Sequence, residues 1–205
     1  MTKHAGVHYQ GFKINGVAHE GRDRRPEYDL IFPDGVVGES ILDLGCNIGY
    51  YVFEAWANGA SKCLGVDRAE VYHETCLKLK HQFGDPDTLE FVLSNAYNWC
   101  PDHPYDTVLC LNVLHHCVTI KRATALLQRL DAWALKRIVL VLTPLGESPP
   151  AIEGDGQTWG IEKCPKGVPR VRIMPEYIQN LWPDYTVTSQ PSAVNEGRII
   201  VSVIK

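Results

Sequence analysis

Between the short apolar run Ile41-Leu42-Asp43-Leu44 and a helix-like stretch beginning at Tyr50 lies the loop Asp43-Leu44-Gly45-Cys46-Asn47-Ile48-Gly49. This segment constrains the fold more than any other. The apolar run suits a strand buried on both faces, as in parallel sheets. Gly45 lets the chain turn sharply off the strand end, and its missing side chain lets a ligand approach the backbone. Gly49 permits close packing where the helix begins. A helix N-terminus favours a carboxylate, and Asp43 is placed to accept from a cationic amine or to fix the loop. Together these features suit an amino-acid moiety.

The same strand-then-helix alternation continues down the chain. Helical stretches are expected at Tyr50 to Asn58, ending at Gly59, and at Glu70 to Phe83, with Val71, Leu79 and Phe83 among the apolar positions. The clearest amphipathic helix is Lys121 to Ala134, with Ala123, Leu126, Leu127, Leu130 and Trp133 on one face. Short strands are expected at Cys63 to Val66, Leu89 to Leu93, Tyr105 to Leu111 and Arg137 to Leu142. Pro175 to Trp182 reads as a short helix. Tyr185 to Thr188 and Arg198 to Ile204 read as two strands with a hairpin-like link, so one is expected to be antiparallel. This is an α/β, doubly wound, mostly parallel sheet, whose ligands bind at the C-terminal strand ends.

A chain of 205 residues is about one domain. Residues 1–38 lack sustained periodicity and read as a leader that packs on the domain or closes over its site. Residues 39–205 form the domain. Within it, 143–170 is a long Pro- and Gly-rich loop, expected to be irregular and long enough to act as a lid. The net charge of −4 and isoelectric point near 6.0 disfavour nucleic-acid binding. No apolar run reaches membrane-spanning length, and MTKHAGVHYQ lacks the apolar core of a secretion signal, so a cytoplasmic setting is expected. The seven cysteines include no CxxC pair and read as reduced thiols.

A second acid, Asp67, ends the next strand, where a carboxylate can accept from ribose hydroxyls. Dinucleotide loops share that pairing, but their G-x-G-x-x-G fingerprint places glycines two and then three residues apart. Here Gly45 and Gly49 are four apart with Asn47 between them. That spacing argues against a pyrophosphate cradle.

On these residues the chain resembles the class I S-adenosylmethionine-dependent methyltransferases. ILDLGCNIGY is similar to the family's first motif and CLGVDRAE to its acidic-strand motif. SNAYNW matches the segment after the third strand, and YDTVLCLNVLHHC the fourth strand and following loop. The resemblance covers about 38–142 and the C-terminal strands. It implies a Rossmann-like, seven-stranded sheet with an antiparallel last strand, and S-adenosyl-L-methionine as cofactor. Residue by residue, it implies that Gly45, Cys46 and Gly49 line the methionine moiety. Asp67 would hold the ribose, with Arg68 beside the adenine. Asn95 and Ala96 would lie at the adenine edge, and Asn112 near the methionine amine. Asn47 departs from the family's middle glycine. Asparagine tolerates a left-handed backbone, so the turn is expected to survive.

The family reaction is in-line displacement at the sulfonium methyl, so the protein supplies position and, for poorly ionised acceptors, a base. His115 and His116 follow the fourth strand and are the candidate bases; loop structure or a cofactor contact is the alternative role. Cys110, His115, His116 and Cys117 lack a standard zinc spacing, so no metal is expected. Arg22, Arg24 and Arg25 are candidates for binding an anionic group, or else form a solvated charge run. Tyr9, Tyr28, Tyr50, Tyr51, Trp56 and Trp159 are candidates for stacking on an acceptor, or else for core. The favoured acceptor is a small molecule. The alternatives are a methyltransferase acting on RNA, loosely similar to enzymes of the transfer-RNA wobble uridine, some of which use a carboxylated form of the cofactor, and a non-catalytic cofactor-binding protein.

Overall fold

The expected alternation is realised in the computed structural model, which describes residues 10–117, 120–142, 160–163, 169–194 and 197–205. In chain order the elements are β1 (Phe12–Ile14), β2 (Val17–His19), α1 (Arg25–Ile31), β3 (Ser40–Leu44), α2 (Tyr50–Ala57), β4 (Lys62–Asp67), α3 (Glu70–Gln82) and β5 (Leu89–Leu93). They continue with β6 (Tyr105–Leu111), a single 3-10 turn at Leu114–His116, α4 (Ile120–Trp133), β7 (Ala134–Leu142), β8 (Gly160–Lys163), β9 (Pro169–Arg172), α5 (Pro175–Leu181), β10 (Thr186–Pro191) and β11 (Ile199–Ile204).

Seven strands form one sheet in the order β10-β11-β7-β6-β3-β4-β5. The pairs β3/β4, β3/β6, β4/β5 and β6/β7 are parallel. The last strand, β11, runs antiparallel to both β7 and β10. This is the doubly wound sheet with a reversed C-terminal strand. Its strand order changes direction between β3 and β6, so the loops leaving these neighbours diverge and open a crevice at their C-terminal ends.

Two apolar layers hold the sheet, and the period-two alternation of each strand divides its residues between them. Leu42, Leu44, Val108, Cys110, Ile138 and Leu140 face Leu126, Leu127 and Leu130 of α4 and Ile178 of α5. Ile41, Leu109, Leu111, Val139 and Val141 face Ile31 of α1 and Tyr51, Val52 and Phe53 of α2. All five apolar positions expected on α4 are buried. Each fully buried leucine side chain stabilises the fold by about 1.5–3 kcal/mol.

Three segments differ from the sequence reading. Part of the leader is regular: β1 and β2 form a hairpin across Asn15-Gly16, with φ of 48° and 84°. Positive φ at both central residues is the geometry that favours Asn-Gly in a two-residue hairpin turn, and this local signal was present in the sequence. Helix α1 follows, with Pro26 in its first turn. Within 143–170, β8 and β9 pair as an antiparallel ribbon rather than irregular loop. The rest of the expected lid, 143–159 and 164–168, lies outside the described residues, as do Tyr9, Trp159 and Cys164. On α3, Val71 is 64% exposed, and the buried face is made by Cys76 and Leu79. Phe83 is half-buried and packs at a tilt against Phe53 and Trp56. Among the described residues, no helix is long and apolar enough to cross a membrane.

Candidate functional site

The loop after β3 is anchored to β4 by backbone bonds from Gly45 N–H and Cys46 N–H to Val66 O, at 2.7 and 3.2 Å. Gly45, Asn47 and Gly49 all have positive φ, of 76°, 56° and 82°. Asn47 therefore takes the left-handed conformation without being glycine. A Cβ on Gly45 would lie 2.6 Å from Val113 Cγ2, and one on Gly49 would lie 2.8 Å from Phe91 Cε1. Gly45 keeps the turn against the wall that follows β6, and Gly49 seats α2 on β5. Asp67 closes the loop from the next strand. Its Oδ2 accepts from Asn47 N–H and its Oδ1 from Ala69 N–H, each at 2.9 Å.

A cavity of about 400 Å³ opens at the C-terminal strand ends. That is within the roughly 300–1,000 Å³ range of small-molecule sites. Of the residues expected at the site, Gly45, Asn47, Asp67, Arg68, Asn95, Ala96, Asn112, His115 and His116 line it. Asn95 folds its segment locally, its Oδ1 accepting from Tyr97 N–H at 3.0 Å. Asn112 ends β6 with φ of 60°, and its N–H donates to Val141 O at 3.2 Å. His115 and His116 lie on the 3-10 turn with ring centroids 4.1 Å apart. Strand β9 runs alongside this turn.

Three expected residues stand elsewhere. Asp43 lines a second, much smaller cavity of about 20 Å³, together with Gln10, Arg24, Tyr51, Gly45 and Asn112. Cys46 lies beneath the loop, buried, with its thiol and that of Cys76 both directed at the Asn47 carbonyl, at 3.7 and 3.4 Å. The neighbouring Cys76 thiol, together with burial, holds the Cys46 thiol well above its ordinary range, so it is inert rather than nucleophilic. Gly49 packs against Phe91 and Phe53 under the helix start.

Burial, with the Asp67 charge second, pushes the Asp43 carboxyl up to about 8. Its Oδ2 is buried and has no hydrogen-bond partner. An unpaired buried carboxyl oxygen is costly, and one facing a cavity can be satisfied by a cationic group there. Beside it lies a buried network from the leader. Glu27 meets Arg24 Nη1 at 3.2 Å and accepts from Tyr51 OH at 2.5 Å and Ser192 Oγ at 2.6 Å. Gln10 Oε1 accepts from Tyr50 N–H at 3.3 Å.

Of the leader arginines, Arg24 therefore reaches the small cavity, while Arg25 pairs with Glu54 at 2.9 Å. Tyr28, Tyr50 and Tyr51 are core residues, and Trp56 packs partly buried against them. Of the other lining residues, Arg24 and Tyr51 were among the sequence candidates, while Gln10, Tyr72, Tyr97 and Arg198 were not. Tyr97 sits inside the SNAYNW segment and could have been found there. Arg198 carries no local signal, since it reaches the cavity through the pairing of β11 with β7. Among the described residues no group of three or more His, Cys, Asp or Glu side chains is arranged to hold a metal.

The arrangement fits an amino acid joined to a nucleoside. Gly45 gives backbone access, Asp43 has an unpaired buried oxygen on the small cavity, and Asp67, Asn95 and Ala96 line the large one.

Comparison with known proteins finds methyltransferases. Residues 41–136 match a family model described as a methyltransferase domain. The chain is 32% identical over 107 residues to a tRNA U34 carboxymethyltransferase of Sulfurovum sp., covering 51% of this chain and 35% of that protein. It is 27% identical over 125 residues to the protein of the same name from Alteromonas mediterranea, covering 59% and 35%. The chain thus spans about a third of the length of these relatives. Among solved structures, it is similar to magnesium protoporphyrin IX methyltransferase from Synechocystis PCC 6803 with bound S-adenosylmethionine. That match has a TM-score of 0.63 at 17% identity and covers 86% of this chain and 74% of the other. An S-adenosylmethionine-dependent methyltransferase from Mesorhizobium loti gives a TM-score of 0.63 at 18% identity, covering 89% and 97%. At these identities the structural likeness shows the fold.

Proposed function

We propose that this chain, whose residues 41–136 match a methyltransferase-domain model, transfers the methyl group of S-adenosylmethionine to a small-molecule nucleophile entering beside His115 and His116. One observation carries this reading: a single cavity has the Asp67 carboxylate, the two histidines, Gly45 and Asn112 in its wall. When bound, the cofactor supplies an electrophilic sulfonium methyl.

The chain's own residues bind, orient and deprotonate. Asp67 accepts from the ribose hydroxyls with the lone pairs that its two backbone bonds leave over. Arg68, Asn95 and Ala96 flank the adenine. Gly45 lets the methionine portion lie against backbone, and Asp43 accepts from its ammonium group. Cys46, Asn47 and Gly49 shape the turn from below and behind. The leader, through Gln10 and Arg24, closes the methionine end. His115 or His116 takes the proton of a nucleophile that arrives uncharged, at the mouth where the acceptor meets the methyl group.

A second reading takes the relatives at their names and makes the acceptor an RNA. It is supported by sequence likeness over the domain, which covers about a third of each relative. The net charge of −4 weighs against it. The deciding experiment incubates the protein with methyl-labelled S-adenosylmethionine and a cell extract split into small-molecule and transfer-RNA fractions. Label is expected in the small-molecule fraction. Label in the transfer RNA alone replaces this reading with the second, and no binding of S-adenosylhomocysteine removes both.

A further inference from the structure

Two arginines approach the middle of the site from opposite parts of the chain. Arg24, from the leader, is buried and lines the small cavity at Asp43. Arg198, just ahead of β11, is half-buried and lines the large cavity with Asn112, His115 and His116. Arg198 Nη1 donates to Asn112 Oδ1 at 2.6 Å. Asn112 is itself pinned to β7 through Val141 O. The guanidinium is therefore held to the C-terminal end of β6 at a defined place in the cavity wall.

The cofactor's amino-acid portion brings one anion, its carboxylate. On the reading above, that portion lies where the two cavities meet, at Gly45 and Asn112, which line both. Arg24 faces this junction from the small cavity. Arg198 lies on the histidine side, where the acceptor enters. Arg24, paired with Glu27 at 3.2 Å, lines the small cavity and not the large one, whereas Arg198 lines the large cavity and not the small one. A guanidinium in a concave wall, beside an amide and two imidazoles, suits a planar or tetrahedral oxyanion gripped by two of its N–H groups.

We propose that Arg198 anchors an oxyanion carried by the acceptor, so that the substrate class is small molecules bearing a carboxylate or phosphate-type group near the nucleophile. This deepens the methyltransferase reading and rests on it. The anchored group is unchanged by the reaction. The nucleophilic atom forms its bond to the methyl carbon as the carbon–sulfur bond breaks. The electron pair of that bond stays on sulfur, and the nucleophile's proton passes to the imidazole of His115 or His116.

The test uses the full chain saturated with S-adenosylhomocysteine and titrated calorimetrically with inorganic phosphate and, separately, with acetate. Binding of one of them with a dissociation constant on the order of millimolar is expected. Arg198→Gln should weaken it at least about tenfold while leaving S-adenosylhomocysteine affinity within about threefold, and Arg198→Lys should retain part of it. Absence of phosphate and acetate binding, or equal binding by both variants and the parent, overturns the proposal. Loss of S-adenosylhomocysteine affinity in Arg198→Gln also overturns it, because Arg198 would then serve the cofactor. A further arm compares S-adenosylmethionine with its S-carboxymethyl analogue. Preference for the analogue that disappears in Arg198→Gln puts the oxyanion on the transferred group and overturns the acceptor assignment. S-adenosylhomocysteine binding without oxyanion binding defeats this inference alone; failure of the parent to bind S-adenosylhomocysteine defeats the methyltransferase reading with it.

Discussion

The Asp67 carboxylate at the end of β4 accepts a hydrogen bond from the Asn47 backbone N–H at 2.9 Å. One acid thus holds the left-handed residue of the neighbouring loop in place while facing the cavity. Asp67→Ala leaves the Asn47 and Ala69 N–H groups without their acceptor. It should cost about 1–3 kcal/mol of stability by urea denaturation. It should also weaken S-adenosylhomocysteine binding about tenfold or more by calorimetry. Unaltered affinity in a folded Asp67→Ala protein removes the ribose assignment.

Asn47 separates backbone strain from side-chain contact. Its φ of 56° is open to glycine at no steric cost, whereas a β-branched side chain there is strained. Asn47→Gly should change stability by less than about 1 kcal/mol. Asn47→Val should lose about 1–2 kcal/mol or more. Equal stability of the two variants would show that the loop can relax out of the left-handed state.

Asp43 makes stability depend on pH in a direction unusual for a carboxyl group. Burial raises its folded-state value to about 8, while the unfolded chain titrates near 3.9. Between these values the folded protein keeps a proton that the unfolded chain has lost. Stability should therefore fall as pH rises from about 4 to about 8, by up to about 1.4 kcal/mol per pH unit, and level off above. Asp43→Asn should remove that contribution, as read from urea midpoints between pH 5 and pH 9. An ammonium-bearing ligand favours the ionised carboxyl. S-adenosylhomocysteine binding at pH 7 should then release a proton, detected as a dependence of the calorimetric heat on buffer ionisation enthalpy. The same pH slope in Asp43→Asn would assign it to other groups.

The histidine pair predicts a split between turnover and binding. His115→Ala and His116→Ala, singly and together, should leave S-adenosylhomocysteine affinity within a few-fold. The double variant should lose about a hundredfold or more in kcat with an acceptor that must be deprotonated. Full turnover in the double variant would exclude both as bases.

The leader should prove integral to the fold through Glu27. This buried carboxylate is shared by Arg24, Tyr51 and Ser192. Glu27→Ala leaves Arg24 buried without that partner and should cost about 3–5 kcal/mol. Glu27→Gln keeps the shape and should cost less. Tolerance of Glu27→Ala in a chemical denaturation experiment would show that the leader packs on the domain without stabilising it.

Much of the site was legible because its signals are local. Gly45, Asn47 and Gly49 are read from the backbone conformations that the turn demands, and Asp67 from its place at a strand end. The period of α4 predicted every residue it buries. Where the reading departed from the fold, contacts distant in sequence decided. Cys46 sits in the motif, yet Cys76 of α3 and the close-packed Gly65 beneath it mark its thiol as part of the core. Val71 fits a helical apolar stripe, but α3 presents Cys76 and Leu79 inward instead. The Asn15-Gly16 turn carries its own local signal for the β1–β2 hairpin.

The amino-acid sequence by itself determined the alternating elements, the cofactor loop and the acid that braces it, because periodicity, φ preference and strand ends are properties of neighbouring residues. Tertiary structure alone decided that Asp43 is buried with an unpaired oxygen, that Arg24 lines the small cavity and that Arg198 lines the large one. Those outcomes arise where the leader packs on α2 and where β11 returns antiparallel beside β7. Burial and charge proximity depend on which distant segments meet, and no local pattern in the chain encodes that meeting.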